Sequence, residues 1–233
     1  MSKEDFVKNV FNTVANRYDL MNDLMSCGLH RAWKKTLIQA MPNKEASSLL
    51  DIAGGTGDVA VQFIKNGGTS AVVADINEAM LKVGQSKLVD KGIIDIPIEW
   101  VVADGENLPF DDGQFDLCSI AFGIRNFTNI KKGLMEARRV LKSHGKFFCL
   151  EFINPQSMSN GLSKKLYELY SHYCIANIGK FVVGDREPYD YLVESIRNFP
   201  IEKDFMEMIN AAGFTNISVQ HMTNGVVGLY QCS

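Results

Sequence analysis

Leu49-Leu50-Asp51-Ile52-Ala53-Gly54-Gly55-Thr56-Gly57-Asp58-Val59-Ala60 is the stretch around which the chain is organised. A short apolar run ends in an acid, glycines crowd together, and an apolar-periodic segment follows. That order predicts a buried strand, a tight turn and then a helix. The turn needs unusual backbone angles, and a missing Cβ lets a ligand approach the main chain. The helix start offers unpaired N–H groups to a polar ligand over the turn. Gly55-x-Gly57-x-x-Ala60 also satisfies the loose dinucleotide fingerprint, and Asp75 follows Gly55 by twenty residues at the end of a second apolar run, Ala71 to Asp75. A glycine turn alone is weak evidence, since many α/β proteins carry one. A carboxylate ending the next strand can accept both hydroxyls of a ribose, which makes a ribose-binding site the better reading.

The same alternation continues outward. Glu78 to Val89 has helical periodicity and ends at Lys91-Gly92. Pro97 to Ala103 is a third strand that runs out at Asp104-Gly105. After the turn-rich Leu108 to Gln114, Phe115 to Ala121 is a fourth strand, and Phe122-Gly123-Ile124-Arg125-Asn126 follows it directly. A helix through Val140 and Leu141, a turn at Ser143 to Gly145, and a fifth strand from Lys146 to Phe152 complete the alternation. Such a pattern specifies a doubly wound α/β fold with a mostly parallel sheet. In that fold ligands bind outside the carboxyl ends of the strands, where Asp51, Gly54 to Gly57, Asp75, Asp104, Arg125 and Glu151 all fall.

Upstream, Phe6, Val7, Val10, Phe11, Val14 and Ala15 recur at helical spacing, and a second helix is expected over Arg31 to Met41. Between them lies Asn16 to Asp23, in which Tyr18 and Asp19 read equally well as a capped helix end or as a lid over the site. Downstream, residues 153–200 break the rhythm: a loop, then Leu162, Leu166, Leu169, Tyr170 and Tyr173 on one helical face, then helical Tyr189 to Asn198. This insertion is expected to cap the strand ends. A helix over Phe205 to Ala212 and two β-rich runs, Thr215 to Met222 and Val226 to Gln231, are expected to add a helix and a hairpin, giving the sheet an antiparallel C-terminal strand. The chain is thus expected to be one domain: an N-terminal helical lid (1–45), a ligand-binding core (46–152), a cap (153–200), and a C-terminal helix and hairpin (201–233).

Composition narrows the classes. The 233 residues suit one sizeable α/β domain, and 46% hydrophobic content excludes extensive disorder. A formal charge of −3 argues against a constitutive nucleic-acid binder. Five scattered cysteines, none spaced C-x-x-C, fit a reduced cytoplasmic protein and neither a disulfide framework nor a zinc site. The four histidines are equally dispersed, so no metal is expected. The polar start, Met1 to Asp5, is unlike a signal peptide, and no apolar run reaches the roughly 20 residues that cross a bilayer.

Asp51-x-Ala53-Gly54-Gly55-Thr56-Gly57, Asp75, Asp104-Gly105 and Leu108-Pro109-Phe110 to Phe115-Asp116 resemble the successive motifs of the S-adenosylmethionine-dependent class I methyltransferases, whose fold is Rossmann-like. More specifically, the chain resembles the ubiquinone/menaquinone-biosynthesis C-methyltransferases nearly end to end. The segments that carry this include Tyr18-Asp19 to Asn22-Asp23, Ala74-Asp75-Ile76-Asn77, Phe122 to Asn126, Leu150-Glu151-Phe152 and Tyr191 to Arg197. The resemblance implies that Thr56 and its flanking glycines hold the methionine end of S-adenosyl-L-methionine, Asp75 the ribose, and Asp104-Gly105 the adenine. Tyr18, Asn22 and Asn126 are then expected on the acceptor side. At Ala121 the chain departs from the family, several of whose members have a serine that contacts the cofactor there.

The implied reaction moves a sulfonium methyl to a ring carbon of a polyprenylated benzoquinol or demethylmenaquinol, with peripheral contact to the inner membrane where that acceptor resides. Oligomeric state is left open, a homodimer or a quinone-biosynthesis complex among the options. An aromatic carbon is a weak nucleophile unless the adjacent hydroxyl, with a pKa near 10, loses its proton. Arg125 stays charged and suits a fixed cation facing a phenolate, although a structural ion pair with a neighbouring carboxylate is the competing reading. Glu151, or a water held by Asp19 or Asp104, could take the proton, and a structural role for Glu151 competes with that. A nicotinamide dehydrogenase would share the glycine turn and Asp75 but leave Asp104-Gly105 and Leu108-Pro109-Phe110 unexplained. A non-catalytic cofactor-binding protein would not need Tyr18, Arg125 and Asn126.

Overall fold

The computed structural model describes residues 28–42, 44–93, 95–157 and 187–233, together with Asp23, Ser26 and Gly161. The expected opening helix, Tyr18, Asp19, Asn22 and the helix expected around Leu162 to Tyr173 lie outside the described residues.

Seven strands form one sheet in the order β3-β2-β1-β4-β5-β7-β6. They are β1 (Ser48–Ile52), β2 (Ser70–Asp75), β3 (Ile98–Val102), β4 (Phe115–Ala121), β5 (Leu141–Phe152), β6 (Ser218–Met222) and β7 (Val227–Cys232). The six described helices are α1 (Leu29–Ala40), α2 (Asp58–Lys65), α3 (Glu78–Asp90), α4 (Ile130–Val140), α5 (Glu187–Asn198) and α6 (Glu202–Ala211). Strands β1 to β5 are parallel, and β1 lies between β2 and β4. The connections therefore turn in opposite directions on either side of β1, which makes its carboxyl end the topological switch point.

The helices cover both faces of the sheet. Leu49 of β1 and Leu117 of β4, with Trp33 and Leu37 of α1 and Val59 and Phe63 of α2, build one core. Leu50 and Ile52 of β1 and Phe115, Cys118 and Ile120 of β4 pack with Leu134 and Ala137 of α4 and Phe205 and Ile209 of α6 in the other. Burial on both faces explains why β1 and β4 read as continuous apolar runs rather than alternating ones.

The C-terminal hairpin joins the sheet through its second strand. β7 runs antiparallel to β5 on one side and to β6 on the other, so the reversed strand lies one in from the edge. The turn expected at Ser143 to Gly145 is instead an irregularity within β5, which starts directly after α4. Leu141 pairs with Phe115 and Lys146 with Leu117, so β5 takes up extra residues against β4. A Cβ on Gly145 would sit 2.9 Å from Leu141 Cδ2 and 3.0 Å from Lys142 O, leaving room for glycine alone in this bulge.

Candidate active site

The glycine turn at the switch point is built from left-handed residues: Ala53 (φ 53°), Gly55 (φ 56°) and Gly57 (φ 73°). Gly57 N donates to Gly54 O (2.9 Å), closing the turn, and Gly54 N donates to Ala74 O (3.2 Å), tying it to β2. Asp75 adds a second tie. Its Oδ2 accepts from Gly55 N and its Oδ1 from Asn77 N, each at 2.8 Å. Burial raises the Asp75 carboxyl above its ordinary range, and these two N–H groups oppose that. Each carboxylate oxygen keeps a lone pair for another donor.

Above the turn lies a cavity of about 270 Å³, walled by the ends of four strands. Ala53 and Gly55 come from the end of β1, Asp75 to Asn77 from β2, Ala103 to Glu106 from β3, and Ala121 to Gly123 from β4. Asn126 and Phe127 close the far side. Of the expected cofactor residues, Gly55, Asp75, Asp104 and Gly105 stand in this wall, whereas Gly54, Thr56 and Gly57 lie behind it. Gly54 has no room for a Cβ, which would fall 2.8 Å from both Asp51 Oδ2 and Val73 Cγ1. Gly57 backs onto the Trp100 ring, and Thr56 is buried with its carbonyl facing Gly84. These three shape the turn from below.

Phe127 forms the outer wall because two glycines leave space for its ring: a Cβ on Gly105 would lie 2.5 Å from Phe127 Cζ, and one on Gly133 2.3 Å from the same ring. Glu106 holds the loop in place by accepting from Thr128 N (2.6 Å) and Asn129 N (2.9 Å). The Leu108 to Phe110 segment is clamped by Arg139, which donates to Leu108 O (3.0 Å) and Phe110 O (2.8 Å).

Arg125 and Asn126 sit in one helical turn, Ile124–Asn126, but face different ways. Asn126 reaches the cavity wall, where its Oδ1 accepts from the Tyr191 hydroxyl of α5 (3.0 Å). Arg125 is buried against Glu151. Its Nη1 donates to Glu151 Oε1 (2.8 Å) and to Phe122 O (2.6 Å). Phe122 can offer that carbonyl because it takes a left-handed conformation (φ 60°), uncommon for a bulky residue. Glu151 is wholly buried, also accepts from Phe152 N (2.8 Å), and is not part of the wall of this cavity. Burial pushes its carboxyl up, while the Arg125 charge pulls it down.

Sequence reasoning missed Phe122, Met80 and Glu106, all three of which line the cavity. Tyr191 belonged to a quoted segment, but nothing in its spacing pairs it with Asn126.

A parallel sheet with a reversed penultimate strand, a glycine turn at its switch point and an acid ending β2 define a class I methyltransferase that uses S-adenosylmethionine. The ubiE/COQ5 methyltransferase family matches residues 1–232, and the chain belongs to it. It is 46% identical over 232 residues to a Brucella abortus protein named ubiquinone/menaquinone biosynthesis C-methyltransferase UbiE, covering 98% of this chain and 85% of that one. It is 43% identical over 259 residues to the mouse mitochondrial 2-methoxy-6-polyprenyl-1,4-benzoquinol methylase, covering 96% of this chain and 78% of the relative. Among solved structures, a Thermotoga maritima S-adenosylmethionine-dependent methyltransferase superposes with a TM-score of 0.67 at 17% identity, over 97% of this chain and 98% of that one. Haemonchus contortus phosphoethanolamine N-methyltransferase 2, in complex with S-adenosylmethionine, gives 0.60 at 21% identity, over 83% of this chain and 39% of that one.

Proposed function

We propose that this methyltransferase alkylates a ring carbon of a polyprenylated benzoquinol or demethylmenaquinol. One observation carries the reading: Asp75, Asp104 and Asn126 share one cavity wall, and the Arg125–Glu151 pair is held in the adjoining turn. The cavity suits S-adenosylmethionine, because Asp75 retains lone pairs for two ribose hydroxyls and Gly105 keeps Phe127 close enough to cover an adenine. Gly55, with Thr56 and the flanking glycines behind it, takes the methionine end. The cofactor supplies an electrophilic methyl on sulfur.

The chain's own residues prepare the acceptor. The Arg125 guanidinium stabilises a phenolate oxygen as it forms, which makes the neighbouring ring carbon nucleophilic. Glu151 is sealed from the cavity and positions Arg125 rather than taking the proton. Asn126, oriented by Tyr191, orients the acceptor, with Tyr18 and Asn22 joining from the N-terminal segment. Ala121 at the end of β4 offers no hydroxyl, which costs at most about 0.5–1.5 kcal/mol of cofactor binding.

The test is an assay with a prenylated benzoquinol and a prenylated naphthoquinol, each reduced, and a labelled methyl donor, followed by product mass. A methyl on the ring carbon supports the reading, and no transfer to either acceptor rejects it. Such acceptors reside in the bilayer, and no described helix is long and apolar enough to cross it. Reversible contact with the cytoplasmic face of the inner membrane follows, through the N-terminal segment and the 160–178 region. Flotation with acceptor-loaded liposomes tests this, and a chain that never co-migrates refutes it.

A further inference from the structure

Phe122 serves the site twice. It stands in the wall of the cofactor cavity, and its carbonyl accepts from Arg125 Nη1 (2.6 Å). It does both from a left-handed backbone at φ 60°. A bulky residue keeps such a conformation only where its surroundings over-determine it. Part of that constraint is in the main chain. Phe122 N donates to Leu150 O of β5 (2.8 Å). The next residue is pressed against the glycine turn, so that a Cβ on Gly123 would fall 2.6 Å from Ala53 Cβ.

The rest comes from side chains. The Phe122 ring meets Trp33 of α1 at 6.0 Å between centroids and Phe152 at 5.0 Å, and those two rings are themselves 6.0 Å apart. The three form a closed aromatic cluster at favourable separations. Phe152 also carries the guanidinium, with Arg125 Cζ 5.6 Å from its ring centroid. Trp33 is buried and fixed in its turn. Its Nε1 donates to Thr223 Oγ1 (2.9 Å), in the turn between β6 and β7. The following residue, Lys34, donates from Nζ to Asp58 Oδ2 (3.0 Å), at the first position of α2. Two successive residues of α1 thus reach both flanks of the site, the start of α2 and the end of β4.

We propose that Trp33 is a positioning residue for the cofactor site. Its ring, seated by Thr223 and by the Lys34–Asp58 pair, holds Phe122 in the conformation that places it in the cavity wall and turns its carbonyl to Arg125. Trp33 does not line the cavity itself, so it acts through Phe122. Core packing alone would make Trp33 matter to stability and to nothing else. The ring contact with Phe122, and the uncommon backbone of that residue, tie it to cofactor binding as well. The inference rests on the use of S-adenosylmethionine and not on the identity of the acceptor.

The experiment is a double-mutant cycle of Trp33→Leu and Phe122→Gly, read as calorimetric S-adenosylmethionine affinity. Each variant is first shown to be folded by circular dichroism at the temperature of the titration. Glycine takes a φ of 60° without strain and leaves Trp33 no ring to hold. Trp33→Leu should weaken affinity fivefold or more in the wild-type background, and less than twofold in the Phe122→Gly background. Trp33→Phe keeps a ring against Phe122 and should bind within twofold of wild type. An equal loss in both backgrounds, or no loss in either, would overturn the assignment and leave Trp33 a core residue only. Trp33→Phe as weak as Trp33→Leu would overturn it too. If Trp33→Leu fails to fold, Trp33→Met, which keeps more bulk and no ring, takes its place in the cycle under the same criterion.

Discussion

Arg125 Nη1 and Glu151 Oε1 are 2.8 Å apart in a site almost sealed from solvent, and neither residue lines the cofactor cavity. Of the two alternatives left by the sequence, the structural ion pair is present, and the catalytic cation is the role proposed for the same residue. They can be separated because they fail differently. Removing one partner of a buried pair leaves an uncompensated charge and costs about 3–5 kcal/mol. Removing both relieves most of that.

Arg125→Met should accordingly lower both stability and turnover, the latter by about 10²–10³. Adding Glu151→Gln should restore much of the stability and none of the turnover. Activity of Arg125→Met should recover partly as pH rises toward the phenol's own pKa near 10, because bulk base then ionises the acceptor. Arg125→Lys should recover only part, since an ammonium lacks the planar fork. Melting curves, pH–rate profiles and cofactor titrations on the same variants decide it. Turnover that returns with stability in the double variant would make the pair purely structural.

Asp75 joins two tasks that the sequence presented as one. It ends β2 where a ribose would reach it, and it also fastens Gly55 and Asn77. Asp75→Ala should lose at least tenfold in S-adenosylmethionine affinity, because charge-assisted hydrogen bonds contribute about 1.5–3 kcal/mol each. Asp75→Asn should also lose affinity, since its amide nitrogen would oppose one of the two backbone donors. Calorimetry on variants with native circular dichroism is the measurement, and unchanged affinity rejects the ribose assignment.

The strands were legible because β1, β2 and β4 are short apolar runs punctuated by acids and glycines, and buried strands leave that signature. The site's acids were legible for the same reason: they end those runs. What stayed hidden depends on tertiary packing. Ala53 and Phe122 hold left-handed conformations that nothing in their chemistry announces. Phe122 thereby turns its carbonyl toward Arg125, an arrangement no spacing rule encodes. The Arg125–Glu151 bond spans twenty-six residues and arises only because β5 is placed beside β4. The Tyr191–Asn126 bond needs α5 set against the turn before α4, and residues 153–200 show only a broken rhythm in sequence.

Gly57 tests the geometry beneath the turn. Its φ of 73° is left-handed, and an added Cβ would fall 2.5 Å from Trp100 Cη2. Gly57→Ala should therefore destabilise by two separable amounts, about 1–2 kcal/mol for the backbone and about 1–3 kcal/mol for the overpacking. Trp100→Leu removes the second and not the first. In a double-mutant cycle by denaturant unfolding, the two substitutions should couple favourably by about 1 kcal/mol or more, with the double variant still below Trp100→Leu. Strict additivity would mean that the ring yields at no cost.

Asp51 carries the pH dependence built into the sheet. It is buried, Ser119 Oγ donates to its Oδ1 (2.7 Å), and its Oδ2 has no partner among the described residues. Burial raises its pKa from 3.8 to about 7, with Asp75 and Asp58 adding to the rise, and with the Ser119 bond and the Lys34 charge opposing it. The sign is the reverse of a salt-bridged carboxylate's. Between the unfolded value near 4 and the folded value near 7, the folded chain holds a proton that the unfolded chain has released. Stability therefore falls as pH rises through that window and levels off above it. Asp51→Asn is neutral throughout and keeps an oxygen for Ser119, so the variant escapes this loss. Its melting temperature minus that of wild type, measured without cofactor, should grow by roughly 5 °C or more between pH 5 and pH 8. The window between pH 5 and 7 corresponds to about 2–3 kcal/mol, and a chain of this size shifts about 2–4 °C per kcal/mol. A difference that stays constant with pH, or shrinks, would show that Asp51 is already ionised at pH 5.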